Sequence, residues 1–190
     1  MRTAVTIAAL GFVVALAGDA CHVASGATRY EWVGVPEIWR SQVWFPFLVA
    51  GAVLAAAWAG RRDARVRSPA DVVLGAALVL ALYALTAVVD GEPATVSVVL
   101  CGAVAVAIWA WWDPAPVAFA VALSAAVLGP LAEIVLVELG AASYADDALF
   151  GVAPWLPCLY FGAGAVASGL WAALDGSRSS ALRRRTSTIS

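Results

Sequence analysis

The chain has 190 residues, of which 63% are hydrophobic and only 13% charged, with a formal net charge of −2. A soluble domain is about 45–50% apolar and about 25% charged, so an ordinary soluble globule is excluded. The net charge says nothing about nucleic acid, but the chain has no basic, aromatic-laced patch and no recognition motif, so no nucleic-acid partner is expected.

The mean hydropathy is +0.90. Its apolar residues fall in blocks of about 18 or more, enough to cross a hydrocarbon core about 30 Å thick. The strand alternation of a β-barrel is missing. The composition therefore defines an all-α integral membrane protein, a six-transmembrane-helix bundle occupying residues 1–175 as a single membrane domain.

The first span is expected at about 4–21. Arg2 and the Ala15–Ala17 stretch resemble a signal peptide, but the run continues to His22-Val23 without an exit, so an uncleaved span is expected. Asp19 and His22 are three apart and are expected to form a local pair near the outer interface. Residues 24–42 mix Arg29, Glu31, Trp32, Pro36, Trp39 and Arg40, a composition suited to a surface-lying segment or ordered loop at the membrane–water interface. The second span is expected at 43–60, with Pro46 in its first turn, where a missing N–H costs little. An Arg-rich turn, 61–67, follows and is read as a cytoplasmic loop.

Further spans are expected at 72–89, 95–112, 116–139 and 152–174. Asp113-Pro114 ends the fourth, because a residue before Pro is pushed out of the α region. The fifth is interrupted by Gly129-Pro130, where a missing N–H frees a carbonyl that must be satisfied inside the protein. A packed kink and a broken helix lining a cavity both fit. Glu133 sits about one turn further on, and an ionisable residue in an apolar span usually faces the protein interior or water and often marks function. The sixth span carries GAGAVASG, 162–169, whose small-xxx-small spacing serves close packing within the bundle or between protomers. The tail, 176–190, is Arg-rich and expected to be disordered on the cytoplasmic side.

All eleven basic residues are Arg. Six spans place Arg2, the 61–69 loop and the tail together, leaving Arg29 and Arg40 opposite, so both termini are cytoplasmic by the positive-inside rule. Cys21, Cys101 and Cys158 form no CxxC pair and are read as small buried residues rather than metal or redox groups. No Ser/His/Asp set, zinc spacing or P-loop is present, so no catalytic residues and no metal ligands are assigned.

From about Leu80 to Ala165 the chain resembles the insulin-induced gene (Insig) family of membrane proteins. The resemblance rests on AIWAWWD ending at Asp113, Phe119 six residues later, Gly140 and Tyr144, and the block Trp155-Leu156-Pro157-Cys158 followed by Tyr160-Phe161-Gly162. Asp90 matches an acid of the loop between the third and fourth spans. The resemblance implies six spans with both ends cytosolic and a lipid pocket open to the bilayer. In animals that pocket binds oxysterols, and the protein holds sterol-sensing partners in the endoplasmic reticulum; a bacterial homologue would sit in the cell membrane. Asp113 matches the family aspartate needed for partner binding. The family's sterol-site Phe and Gln fall here at Val79 and Val96.

The expected function is that of a non-enzymatic Insig-like protein. It would hold a sterol or diacylglycerol-like lipid between the first, third, fourth and fifth helices and couple its occupancy to a membrane-protein partner. Val79, Tyr83, Thr86, Val96, Ser97, Phe119, Pro130 and Glu133 are the candidate lipid-binding residues, and a homo-oligomer is possible. A small proton-coupled transporter using Glu133 and a structural membrane assembly protein are the alternatives.

Overall fold

The computed structural model describes residues 1–190 apart from Asp63, Val66 and 188–190, and gives backbone alone for 177–187. Among the described residues six helices run in the order α1 (Arg2–Ser25), α2 (Trp44–Gly60), α3 (Pro69–Val88), α4 (Ala94–Trp112), α5 (Pro116–Glu138) and α6 (Leu156–Ser187). Five contain apolar stretches long enough to span a membrane; α2, with 17 residues, is shorter. At 1.5 Å per residue α2 rises about 25 Å, at the lower limit for a span. The last helix runs past the expected end of the sixth span. Its backbone is helical to Ser187, so residues 176–187 extend α6 where an irregular tail was expected.

The helices are apolar on all sides, as lipid-facing helices are, so contacts rather than amphipathic faces set the arrangement. The hub is α6, which packs against α2, α3, α4 and α5, while α1 lies against α2 and α3. The small-residue run of α6 is used inside the bundle. Gly164 backs onto Ala122 and Ala125 of α5, and Gly169 onto the Trp112 ring. α2 and α6 approach closely at Gly60, where any side chain would meet the Ser168 carbonyl.

The turns carry their own chemistry. Ser68 caps α3 in a capping box. Its hydroxyl accepts from the Asp71 N–H (3.2 Å) and the Asp71 carboxylate accepts from the Ser68 N–H (2.9 Å). Pro69 occupies the first turn, where its missing N–H is harmless. Replacing Ser68 with Ala removes the cap and is expected to lower stability by about 1 kcal/mol, read as a fall in melting temperature in detergent. An unchanged melting temperature would show that packing alone holds the start of α3. At the end of α4 the Arg67 guanidinium donates to the Trp111 and Trp112 carbonyls, a cation placed where the helix dipole is negative.

On the outer side two short sheets form that the sequence does not announce. β1 (Thr28–Tyr30) pairs antiparallel with β4 (Ala142–Tyr144), in the register Thr28↔Tyr144 and Tyr30↔Ala142, and ties the α1–α2 connection to the α5–α6 connection. β2 (Glu37–Ile38) and β3 (Ser41–Gln42) form a hairpin. Its two turn residues, Trp39 and Arg40, both have positive φ, 49° and 72°. That is the primed hairpin turn, which Asn-Gly normally fills. Of the cysteines only Cys101 is buried; Cys21 is exposed and Cys158 half-buried, correcting the expectation that all three are buried.

Candidate functional site

A cleft of about 540 Å³ lies between α2 and α5. That volume lies within the range of small-molecule pockets, about 300–1,000 Å³. Its α2 wall is Leu48, Val49, Ala52, Ala55, Ala56 and Ala59; its α5 wall runs from Val117 to Glu133. The alanines make the groove: small side chains on facing helices leave the space that larger ones would fill. Leu48 and Leu128 on its rim are 49% and 65% exposed, so the cleft opens toward lipid. One end is polar, where Glu133 and Tyr160 meet.

Glu133 is 4% exposed and accepts a hydrogen bond from the Tyr160 hydroxyl at 2.6 Å. An acid in a membrane span is costly unless it is paired or hydrogen-bonded, and Tyr160 supplies the bond from the facing helix. Gly129, one turn before Glu133, makes room for that ring, since any side chain there would run into Tyr160. The Gly129-Pro130 break therefore stays within a continuous α5 and serves the packing of Tyr160. Behind Glu133 lies a compact polar layer, roofed by the β1–β4 pair, that includes Asp19, His22, Tyr30, Tyr83 and Tyr144. Burial, followed by the Glu133 and Asp19 acids, pushes the Tyr144 hydroxyl well above its ordinary range, so it stays a donor to Glu133. Burial and then Asp19 do the same for Tyr30, whose hydroxyl donates to Asp19 at 2.6 Å.

Asp19 and His22 do not form the expected pair near the interface. Both are buried, and they turn to different partners: Asp19 to Tyr30, and His22 to Thr86, with Nε2 2.8 Å from Oγ1. The reason is tertiary: β1 brings the Tyr30 hydroxyl to Asp19 and α3 brings the Thr86 hydroxyl to His22.

The expected lipid-binding residues separate. Glu133 alone of that set lines the large cleft, which lies between α2 and α5 and not among the first, third, fourth and fifth helices. Val79 and Tyr83 line a void of only about 50 Å³ among α1, α2, α3 and α6. Thr86 and Ser97 are buried and donate to backbone carbonyls of their own helices, Tyr83 at 2.8 Å and Ala94 at 3.1 Å. Val96 is 41% exposed on the surface of α4. Phe119 stacks edge-on against Trp109 and Phe161, at 5.3 and 5.7 Å. Pro130 is buried in α5 outside the cleft wall. Asp113, expected to meet a partner, is 5% exposed. Its carboxylate accepts from the Arg65 N–H (2.9 Å) and the Ala115 N–H (3.2 Å), joining the α2–α3 loop to the α4–α5 turn. The alanine-lined α2 wall and Tyr160 went unassigned in the sequence; the recurrence of Ala52, Ala55, Ala56 and Ala59 at helical spacing is the signal that could have found the wall.

A bundle of six apolar helices with a lipid-facing cleft ending in a buried acid defines a multi-pass membrane protein. No family model matches the chain. The INSIG protein homolog of Mycolicibacterium vanbaalenii is 39% identical over 176 residues, covering 87% of this chain and 83% of the relative. The crystal structure of the mycobacterial Insig homolog MvINS from Mycobacterium vanbaalenii matches with a TM-score of 0.88 at 36% identity, over 94% of this chain and 96% of that one. A cross-linked trimer of MvINS bearing a cysteine substitution matches with a TM-score of 0.87 at 37% identity, with the same coverage. The chain belongs to the Insig family.

Proposed function

We propose that this protein is a non-enzymatic lipid-binding member of the Insig family whose α2–α5 cleft holds one sterol or diacylglycerol-like lipid. The supporting observation is the apolar cleft of about 540 Å³ closing on Glu133 and Tyr160. Its walls suit acyl chains or a sterol skeleton, and its one polar end suits a small hydroxyl-bearing head. A phosphate head would carry its charge into an apolar cleft whose lining holds no basic side chain among the described residues, and a buried unpaired charge is costly. Occupancy sets the spacing of α2 and α5 and so selects between two packings of the bundle, which differ in what membrane-protein partner they hold; a ligand does this through differential affinity for the two states. By its likeness to the cross-linked MvINS trimer, the working assembly is a homotrimer.

Native mass spectrometry of the detergent-purified protein tests the lipid and the assembly together. The expected spectrum is a trimer carrying one neutral lipid species per chain. Only bulk membrane lipids in random proportion would overturn the lipid reading, and a monomer would overturn the assembly.

A further inference from the structure

We propose that the β2–β3 hairpin is a membrane-interface anchor, with its Trp39–Arg40 tip seated among the outer-leaflet headgroups beside the outer end of α2. The first observation is strain without an internal reason. Two bulky residues occupy consecutive left-handed positions, at φ 49° and 72°, where Asn-Gly would be unstrained. A backbone outlier of this kind points to function when the surroundings do not explain it. Packing does not explain it here. Trp39 is 67% exposed, and neither Trp39 nor Arg40 takes part in a side-chain hydrogen bond, ring contact or ion pair among the described residues.

The second observation is continuity with the lipid-facing surface. The segment leaves α1 and enters α2, so the chain holds it at the membrane surface. Its base is bolted to the start of α2: Gln42 Nε2 donates to the Trp32 carbonyl at 2.7 Å, and Trp44 Nε1 donates to Gln42 Oε1 at 2.8 Å. Beyond Trp44 the first lipid-facing positions are Phe47 and Leu48, 64% and 49% exposed. Ile38 and Trp39 extend this apolar surface outward.

The third observation is the length of α2. Its 17 residues rise about 25 Å against a core of about 30 Å. Arg61 and Arg62 follow its inner end, and basic residues favour the cytoplasmic surface, which assigns the shortfall to the outer end, where the hairpin supplies apolar height. Trp suits the headgroup level and Arg extends to phosphate. The neighbouring charges, Arg29 and Arg40 against Glu31 and Glu37, balance, so seating requires no anionic lipid.

The test uses the full chain reconstituted in phosphatidylcholine vesicles. A membrane-impermeant maleimide is applied to Trp39→Cys and to Glu92→Cys, the latter in the exposed turn on the same face, with wild-type labelling subtracted. Trp39→Cys is expected to label at least tenfold more slowly than Glu92→Cys, and the two at equal rates after denaturation in SDS. Labelling within threefold of the Glu92 site would overturn the proposal. Because a second copy of the chain could also shield position 39, wild type and Trp39→Phe are compared in vesicles of headgroup-proximal brominated lipid. Loss of a quenched tryptophan component in Trp39→Phe is expected; equal quenching would mean that protein, not lipid, covers the tip, and would also overturn it. Trp39→Asn relieves the turn and is expected to raise the melting temperature in detergent. No rise would show that the turn is unstrained and remove the first argument.

Discussion

Replacing Glu133 with leucine is expected to empty the α2–α5 cleft of its lipid. The carboxyl is the only acidic side chain lining the cleft among the described residues, and it accepts a hydrogen bond from the Tyr160 hydroxyl at 2.6 Å. Leucine removes the acceptor both for Tyr160 and for a lipid hydroxyl. A buried hydroxyl left without a partner costs about 1–3 kcal/mol. With tenfold in affinity for each 1.4 kcal/mol, occupancy should fall by about tenfold to a hundredfold. Glu133→Gln keeps an amide oxygen facing Tyr160 and the lipid, so it should retain the fold and bind within about tenfold of wild type. Displacement of a fluorescent diacylglycerol analogue, followed in nanodiscs, separates the two. Equal binding by wild type and Glu133→Leu would remove the polar end from the site and with it the proposed selectivity for a hydroxyl head.

Trp155→Ala is expected to be the most damaging single change to the fold. Trp155 is fully buried at the outer end of α6, with its ring 4.8 Å from His22 and 6.3 Å from Tyr144 and its Nε1 donating to Asp90 at 3.1 Å. It therefore joins α1, β4 and the α3–α4 turn to the hub helix. Truncating a buried Trp costs about 3–5 kcal/mol, a large share of the stability of a domain this size. Trp155→Phe keeps most of the ring and loses only the bond to Asp90, which should cost about 1 kcal/mol. Burial pushes the Asp90 carboxyl up, against the lowering effect of the indole N–H, so removing the indole should raise it further. Thermal unfolding in detergent, followed by circular dichroism, checks the order wild type, Phe, Ala. An Ala variant that melts with wild type would mean the outer end is held by the β1–β4 pair alone.

The two effects act on one structure, because the polar layer behind Glu133 is closed by the same outer end that Trp155 fixes. Loosening that end should lower lipid occupancy as well as stability, whereas Glu133→Leu lowers occupancy with a smaller loss of stability.

Membrane insertion and helix number follow from the sequence alone, and the sequence also carries the expectation that both termini are cytoplasmic. Blocks of apolar residues of spanning length have no other stable solution in lipid, and the Arg residues lie in the 61–69 loop and the tail rather than spread evenly. Glu133 stood out for the same reason, since an acid in an apolar run must be satisfied by something. What satisfies it lay beyond the sequence: Tyr160 is 27 positions away, on the facing helix. The location of the cleft was also a tertiary matter. Tyr83, Thr86 and Ser97 suggested a polar-studded pocket among other helices, yet Thr86 and Ser97 bond to carbonyls of their own helices, and the large opening formed where alanines of α2 meet α5. Helices that are apolar all round carry no stripe to say which neighbour each will face, and strands of two or three residues carry no period to reveal that Thr28 will pair with Tyr144. Neighbour choice, and with it the site, came from the close packing of small residues on α6, a property of surfaces in contact that no single helix displays by itself.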